Sequence, residues 1–304
     1  MQIIKNYKNK SNCKKIKNKK SAQSAMEYLM TYGWAILIIA VILVVLFHMG
    51  VFNTSIGLKA SPGSCNVNRP YGPGTIRYIS VQGASCNKEP EYVATLTTNS
   101  YITAPLPLLN NSVSVFTWVN TDGYIYSSFR VPVVMNNRIS LYLWDNNHQA
   151  YNILAMVWNT AGVNSIEFGS SINNIFIKVG WHQIGFTYNN SSIVIYVDGA
   201  QAASEKFTGG ILQNTNPISI GGDWNAWFNG SISNVQIYNT SLSTNDIQAL
   251  YQKGIGGAPI DLDHLVGWWP LNGNANDYSG NGYNSTLVSG VSYYSSWENT
   301  YTPP

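Results

Sequence analysis

The sequence predicts a mainly β protein, an N-terminal hydrophobic α-helix followed by a β-sandwich. Three observations lead there. An unbroken apolar run covers Ala35–Phe47, and from about Tyr92 apolar residues recur with period two in many short segments. Only 10% of the 304 residues are charged while 13% are aromatic. That balance excludes an intrinsically disordered chain, which needs charge and few aromatics. It also excludes a basic nucleic-acid binder, because the formal charge of +3 rests on a leader. Eight lysines fall within the first 20 residues, and from Gln23 onward nine basic and 14 acidic residues leave −5.

The leader, residues 1–22, is polar and has no apolar core of its own. A helix over Gln23–Val51 would be about 43 Å long, more than the ~30 Å hydrocarbon core, and the lysines keep its N-terminal side cytoplasmic. No convincing A-x-A site follows Phe47, which argues against an ordinary secretory peptide. A simple signal-anchor helix is the plainer alternative, and Glu27 stands against it. An ionisable residue at the start of a membrane helix is costly and marks function. The run Lys19-Lys20-Ser21-Ala22 followed by Gln23-Ser24-Ala25-Met26-Glu27-Tyr28-Leu29 resembles the class III signal peptide of archaeal type IV pilin-like proteins. The resemblance implies that a prepilin peptidase cuts between Ala22 and Gln23 and leaves the helix, 23–52, on the mature protein. It also implies that Glu27, then the fifth residue, neutralises the new α-amino group of a neighbouring pilin subunit. Ala25 stands where that family usually has Ser.

Residues 53–91 read as a linker punctuated by Pro62, Gly63, Pro70, Gly72, Pro73 and Gly74. Cys65 and Cys86 are alone outside the leader. On the extracytoplasmic side they predict a disulfide that contributes roughly 3 kcal/mol in the loop-closure model. Two thiols with no further Cys or nearby His make only half a zinc site.

Strands are predicted at 100–104, 112–119, 138–144, 153–158, 165–168, 175–179, 181–188, 192–197, 218–220 and 231–238. Asp198-Gly199 is a type I′ hairpin signal, so Asp198 reads as a turn residue. Evenly spaced short strands mean a sandwich or barrel. The exception is a short helix N-capped by Ser243 that buries Ile247, Leu250 and Tyr251 and ends at Gly254. Gly180–Tyr188, Ile195–Gly199, Phe228–Asn239 and Leu242-Ser243 resemble laminin-G-like (concanavalin A-like) jelly-roll domains over about 92–255. That fold hosts lectins, enzymes and adhesive modules alike.

Such domains open with a strand ending in an Asp-x-Ser-Gly turn. Here that segment comes late, as Leu265–Gly282. It either begins a second, truncated domain or folds back as a circular permutation in which 262–297 supply a strand of the 92–304 sandwich. About forty residues cannot bury a core of their own, which favours permutation. The resemblance implies calcium at Asp277 and Asn281; an Asp turn capped by its own side chain is the equal alternative.

Catalytic signatures are missing. His48, His148, His182 and His264 are scattered, no G-x-S-x-G elbow occurs, and Glu89/Glu91 and Asp261/Asp263 are too close in sequence to form a glycosidase pair. The chain therefore reads as a non-enzyme requiring no cofactor. Asp223, Trp224, Asn225 and Trp227, in the Gly221–Gly230 loop, have the composition that stacks on and hydrogen-bonds a sugar; core burial of a Trp is the alternative. Asn-x-Ser/Thr sequons at Asn53, Asn110, Asn189, Asn190, Asn229, Asn239 and Asn284 are about as many as composition gives by chance. The expectation is an archaeal cell-surface, pilin-like protein with an adhesive head, a minor or tip subunit. Its partners would be a prepilin peptidase, other pilins, the membrane and a surface glycan or neighbouring cell. The runner-up is a membrane-tethered carbohydrate-binding protein that does not polymerise.

Overall fold

The computed structural model describes Met30 and residues 32–45, 61, 63, 65–72, 78–81, 86, 89–121, 130–145, 151–159, 176–177, 179–222 and 226–304. The chain divides into two units, Met1–Gly57 and Leu58–Pro304. In the first, residues 32–45 are helical, and the apolar side chains along them, from Trp34 and Ile36 to Val44 and Val45, are exposed. Among the described residues no helix is long and apolar enough to cross a membrane. Ala22, Gln23 and Glu27 lie outside the described residues.

The second unit opens with β1 (Cys65–Asn68) and β2 (Tyr78–Val81), followed by β3 (Val93–Leu96), β4 (Tyr101–Ala104), β5 (Val113–Thr121) and β6 (Arg130–Met135). Next come β7 (Ile139–Asp145), β8 (Tyr151–Val157), β9 (Phe176–Ile177), β10 (Gly180–Tyr188), β11 (Ser192–Val197) and β12 (Ala200–Lys206). After β13 (Ile218–Ile220) and β14 (Gly230–Tyr238) comes the helix α1 (Thr244–Gln252). The tail adds β15 (Leu265–Trp269), β16 (Leu287–Ser289) and β17 (Ser292–Tyr294).

Two antiparallel sheets face each other. One runs β12-β11-β10-β5-β14-β3-β17, with β15 also on β14; the other runs β16-β4-β13-β6-β7-β8-β9. Val115, Val119, Ile184 and Phe186 from the first meet Ile102, Ile139, Leu141 and Ile153 from the second in a shared apolar core. Both faces of β5 are buried, so its run Val113–Val119 is covered throughout. Its other face carries Phe116 and Trp118. Tyr251 of α1 stacks on Trp118 at 5.7 Å, and Tyr301 meets it edge-on at 5.6 Å. The helix starts where the sequence places it. The Ser243 hydroxyl accepts the Asp246 N–H and the Asp246 carboxylate reaches back, while Ile247 and Leu250 are buried.

The tail belongs to the same two sheets. Along one edge of β14, β3 pairs from Gly230↔Leu96 to Ile232↔Ala94, and β15 pairs from Val235↔Trp269 to Tyr238↔Leu265. The two short strands therefore lie end to end and run in one direction. At their junction the Tyr92 N–H donates to Asn272 Oδ1 at 2.8 Å. β16 pairs with β4, and β17 with β3. Trp269 is fully buried in the inter-sheet core, and the Trp268 indole N–H donates to Asn234 Oδ1 at 2.8 Å.

Two features differ from the sequence reading. The 53–91 stretch, read as a linker, holds the β1–β2 ladder, while Cys65 and Cys86 form the disulfide that the sequence predicts, with Cα atoms 5.6 Å apart. That ladder packs on the tail: the Val67 N–H donates to Tyr278 O, and Arg69 donates to the carbonyls of Ser279, Leu262 and Leu265. Strand β6 was hidden by Pro132, which sits where the register shifts between Pro132 and Val134, a place that tolerates a missing N–H. The strand expected at 165–168 lies outside the described residues.

Candidate functional site

The β13–β14 connection is held at both ends by glycines. Gly221 has φ +83, and a Cβ there would meet Leu96 Cδ2 at 2.0 Å; Gly230 has φ +145, and a Cβ would meet Asn120 O at 2.3 Å. Only glycine fits either place. Between them Gly222 bridges to Trp227, and the Phe228 N–H donates to Gly221 O at 2.7 Å. A Cβ on Gly222 would lie 3.0 Å from Trp227 Cδ1 and 3.4 Å from Tyr101 Cβ, so the indole rests on bare backbone. Phe228 is the fully buried anchor, whereas Trp227 stays half-buried at the rim. Asp223, Trp224 and Asn225 lie outside the described residues.

The Asp277–Asn281 turn is a closed hydrogen-bond system. Asp277 Oδ1 accepts the N–H groups of Trp268 and Ser279 at 3.0 and 2.8 Å. Its Oδ2 accepts the Ser279 hydroxyl and the Tyr283 N–H, both at 2.8 Å. Asn281 Nδ2 donates to the carbonyls of Leu265 and Val266 at 2.9 and 2.8 Å. Each carboxylate oxygen of Asp277 already faces two hydrogens, and Asn281 presents an amide nitrogen. The set does not fit calcium, which needs six to eight oxygen ligands. Its geometry is that of a turn fastener joining β15 to the loop behind it.

Two histidines have carboxylate partners. His182 Nδ1 lies 2.7 Å from Asp198 Oδ2, while Asp198 Oδ1 accepts the Gln183 N–H at 2.9 Å. Asp198 has φ +50 in the hairpin turn, as its Asp-Gly sequence predicts. The sequence reading missed the His182 pairing, although the register Ile184↔Val197 that the hairpin imposes would have revealed it. His264 Nδ1 lies 2.8 Å from Asp261 Oδ2 on the exposed approach to β15. Arg138 also went unremarked. It is fully buried, donates to Asn136 Oδ1 and to the carbonyls of Pro107 and Leu106, and burial lowers its pKa. It pins the 105–109 loop.

Two facing antiparallel sheets, with glycine-pinned loops at one end and a helix closing the outer face, define a jelly-roll module. Residues 96–248 match the laminin G type of the concanavalin A-like lectin/glucanases superfamily, and the chain belongs to that family. Its structure is similar to that of a candidate carbohydrate binding protein from Bacteroides ovatus, with 14% identity and TM-score 0.51. That match covers 72% of this chain, which spans 62% of the length of the other. A native heptameric SAP-like pentraxin from Limulus polyphemus matches at 11% identity and TM-score 0.48, over 69% of this chain and 96% of that one. Domain 4 of a GH43 extracellular arabinanase from Geobacillus stearothermophilus, in complex with arabinotriose, matches at 18% and 0.41, over 65% and 94%. At these identities the likeness is one of fold. No match is found among curated proteins.

Proposed function

We propose that this protein is a pilin-like surface subunit whose jelly-roll head binds a glycan, a minor or tip component of an archaeal type IV pilus-like filament. One observation carries the reading: a single chain holds both an uncovered apolar helical stretch over 32–45 and a head of the concanavalin A-like family. A helix apolar all round has to be buried in lipid or among other helices. The class III resemblance at 19–29 supplies both in turn. A prepilin peptidase cuts between Ala22 and Gln23, and Glu27 then neutralises a neighbouring subunit's amino group as the helices pack. The half-buried indole of Trp227 supports a glycan as the ligand, since an aromatic face in a loop of polar composition is what a sugar ring stacks on. The role is binding, without catalysis and with no metal or cofactor required.

N-terminal sequencing of native protein and gold labelling with an antibody to the head test the display. The expected result is a chain beginning at Gln23 and label along filaments. A start at Met1 or beyond Phe47 overturns the processing. A Gln23 start with label confined to the envelope yields the membrane-tethered, non-polymerising alternative. For the ligand, full-length protein in detergent on an array of immobilised glycans should bind, and Trp227→Ala should weaken that binding about tenfold, or ~1.4 kcal/mol. Unchanged binding would remove Trp227 from the site.

A further inference from the structure

The register of the first sheet sorts the sequons by place. Tyr188 of β10 pairs with Val113 of β5, and Ser114 of β5 pairs with Tyr238 of β14. The end of β10, the start of β5 and the end of β14 are thus neighbours about 5 Å apart across the sheet. Just beyond them stand Asn189, Asn190, Asn110 and Asn239, four sequons gathered at one pole from three segments distant in sequence. Trp227 sits at the other pole, before Gly230, where Gly180 and Gly230 both pair with Thr121. Chance sets the number of sequons, but the fold sets their grouping.

Geometry also separates the two overlapping sequons, Asn189-Asn190-Ser191 and Asn190-Ser191-Ser192. Asn189 builds the hairpin turn: its Oδ1 accepts the Ser191 N–H at 3.1 Å, the Ser192 N–H at 2.9 Å and the Ser192 hydroxyl at 3.3 Å. Asn190 is at the apex with φ +66, exposed, and its side chain makes no hydrogen bond to the described residues. Asn110 is exposed too, and its backbone N–H, not its side chain, bonds to Asn239 Oδ1.

We infer that Asn190 and Asn110 are N-glycosylation sites, so that the pole of the head away from Trp227 is sugar-coated. The inference rests on the proposed extracytoplasmic display. The co-reactant is a lipid phosphate-linked oligosaccharide. Asn Nδ2 forms a bond to the sugar C1 and loses one proton, the C1–O bond to phosphate breaks, and the lipid phosphate leaves with the electron pair. Nothing in the protein is oxidised or reduced.

The test is glycopeptide mass mapping of native protein, together with protease shaving of intact cells. The tryptic 179–206 and 89–130 peptides should each carry a glycan. Asn190→Gln should remove the first and leave the second, whereas Asn189→Gln should retain both. A head that protease reaches on intact cells but whose two peptides have unmodified masses overturns the inference alone. A head that protease cannot reach overturns the display and the inference with it. Retention of the hairpin glycan in Asn190→Gln would assign it to Asn189 and refute the geometric selection.

Discussion

Tyr301 links three parts of the molecule through one ring. Its hydroxyl accepts the Ile255 N–H at 3.0 Å, and its ring packs against Trp118 and against Trp297 at 5.5 Å. Burial pushes its pKa up to about 12, with Glu89 and Tyr251 adding to the rise and the Ile255 hydrogen bond opposing it. The unfolded chain therefore releases this proton near pH 10, before the folded one does. The contribution is whole below pH 10 and disappears as the pH climbs through 12. Tyr301→Phe should cost about 1 kcal/mol at pH 7, the net worth of one hydrogen bond. Wild type should then lose up to ~2 kcal/mol relative to the variant between pH 10 and 12, so that the gap closes and reverses. Denaturant melts at pH 7, 10 and 11.5 measure both numbers, and a gap that widens with pH would contradict this account.

Among the elements, the Asp277 turn is the most economical device. One carboxylate satisfies three backbone N–H groups and a hydroxyl, which lets β15 end sharply and the chain return to β4. Asp277→Ala should destabilise the protein by about 2–4 kcal/mol, because buried donors lose their acceptor. Wild-type melts in calcium and in chelator should superimpose; a rise of several degrees with calcium would restore the cation reading. The turn itself was legible in the sequence, since Asp-x-Ser-Gly writes its own hydrogen bonds. So were β10, β11 and β14, whose apolar residues alternate against one core. Strand β12 was not: Ala200–Lys206 buries only Ala203, so an edge strand with polar side chains leaves no alternation to read. The β1–β2 ladder escaped for a related reason: its strands are four residues each, and among the described residues only Cys65, Val67 and Ile79 join the apolar cluster beneath, too few to leave a readable alternation. Of the Gly221–Gly230 loop, composition singled out Trp227, but only the bare backbone of Gly222 beneath its ring explains why the indole stays half-buried.

For the molecule as a whole, the tail is structural throughout. Leu265–Trp269 is buried along its full length, and the three tail strands extend both sheets. We read the late arrival of this segment as a circular permutation. Removing 262–304 would strip one edge of β14, β3 and β4 and uncover Phe116, Trp118 and Tyr238. The loss should exceed the 5–15 kcal/mol that holds a typical domain together. The truncated head should be insoluble or molten, with the tail supplied as a peptide restoring part of its fold. A cooperatively melting head made from residues 60–258 would show the tail to be an appendage.

The end-to-end placement of β15 and β3 on one edge of β14 also has a consequence in time. Synthesis delivers the chain from its N-terminal side, so β3 can dock on its half of that edge long before β15 exists. Until Leu265–Trp269 emerges, half of β14 waits with unpaired backbone, and β4 waits likewise for β16. Pairings this distant in sequence are slow to close, and an open strand edge in the interval invites pairing with another chain. The head should therefore mature in a late, all-at-once step set by the arrival of its last strands, and a pause in synthesis before residue 265 should be the moment of greatest danger of aggregation.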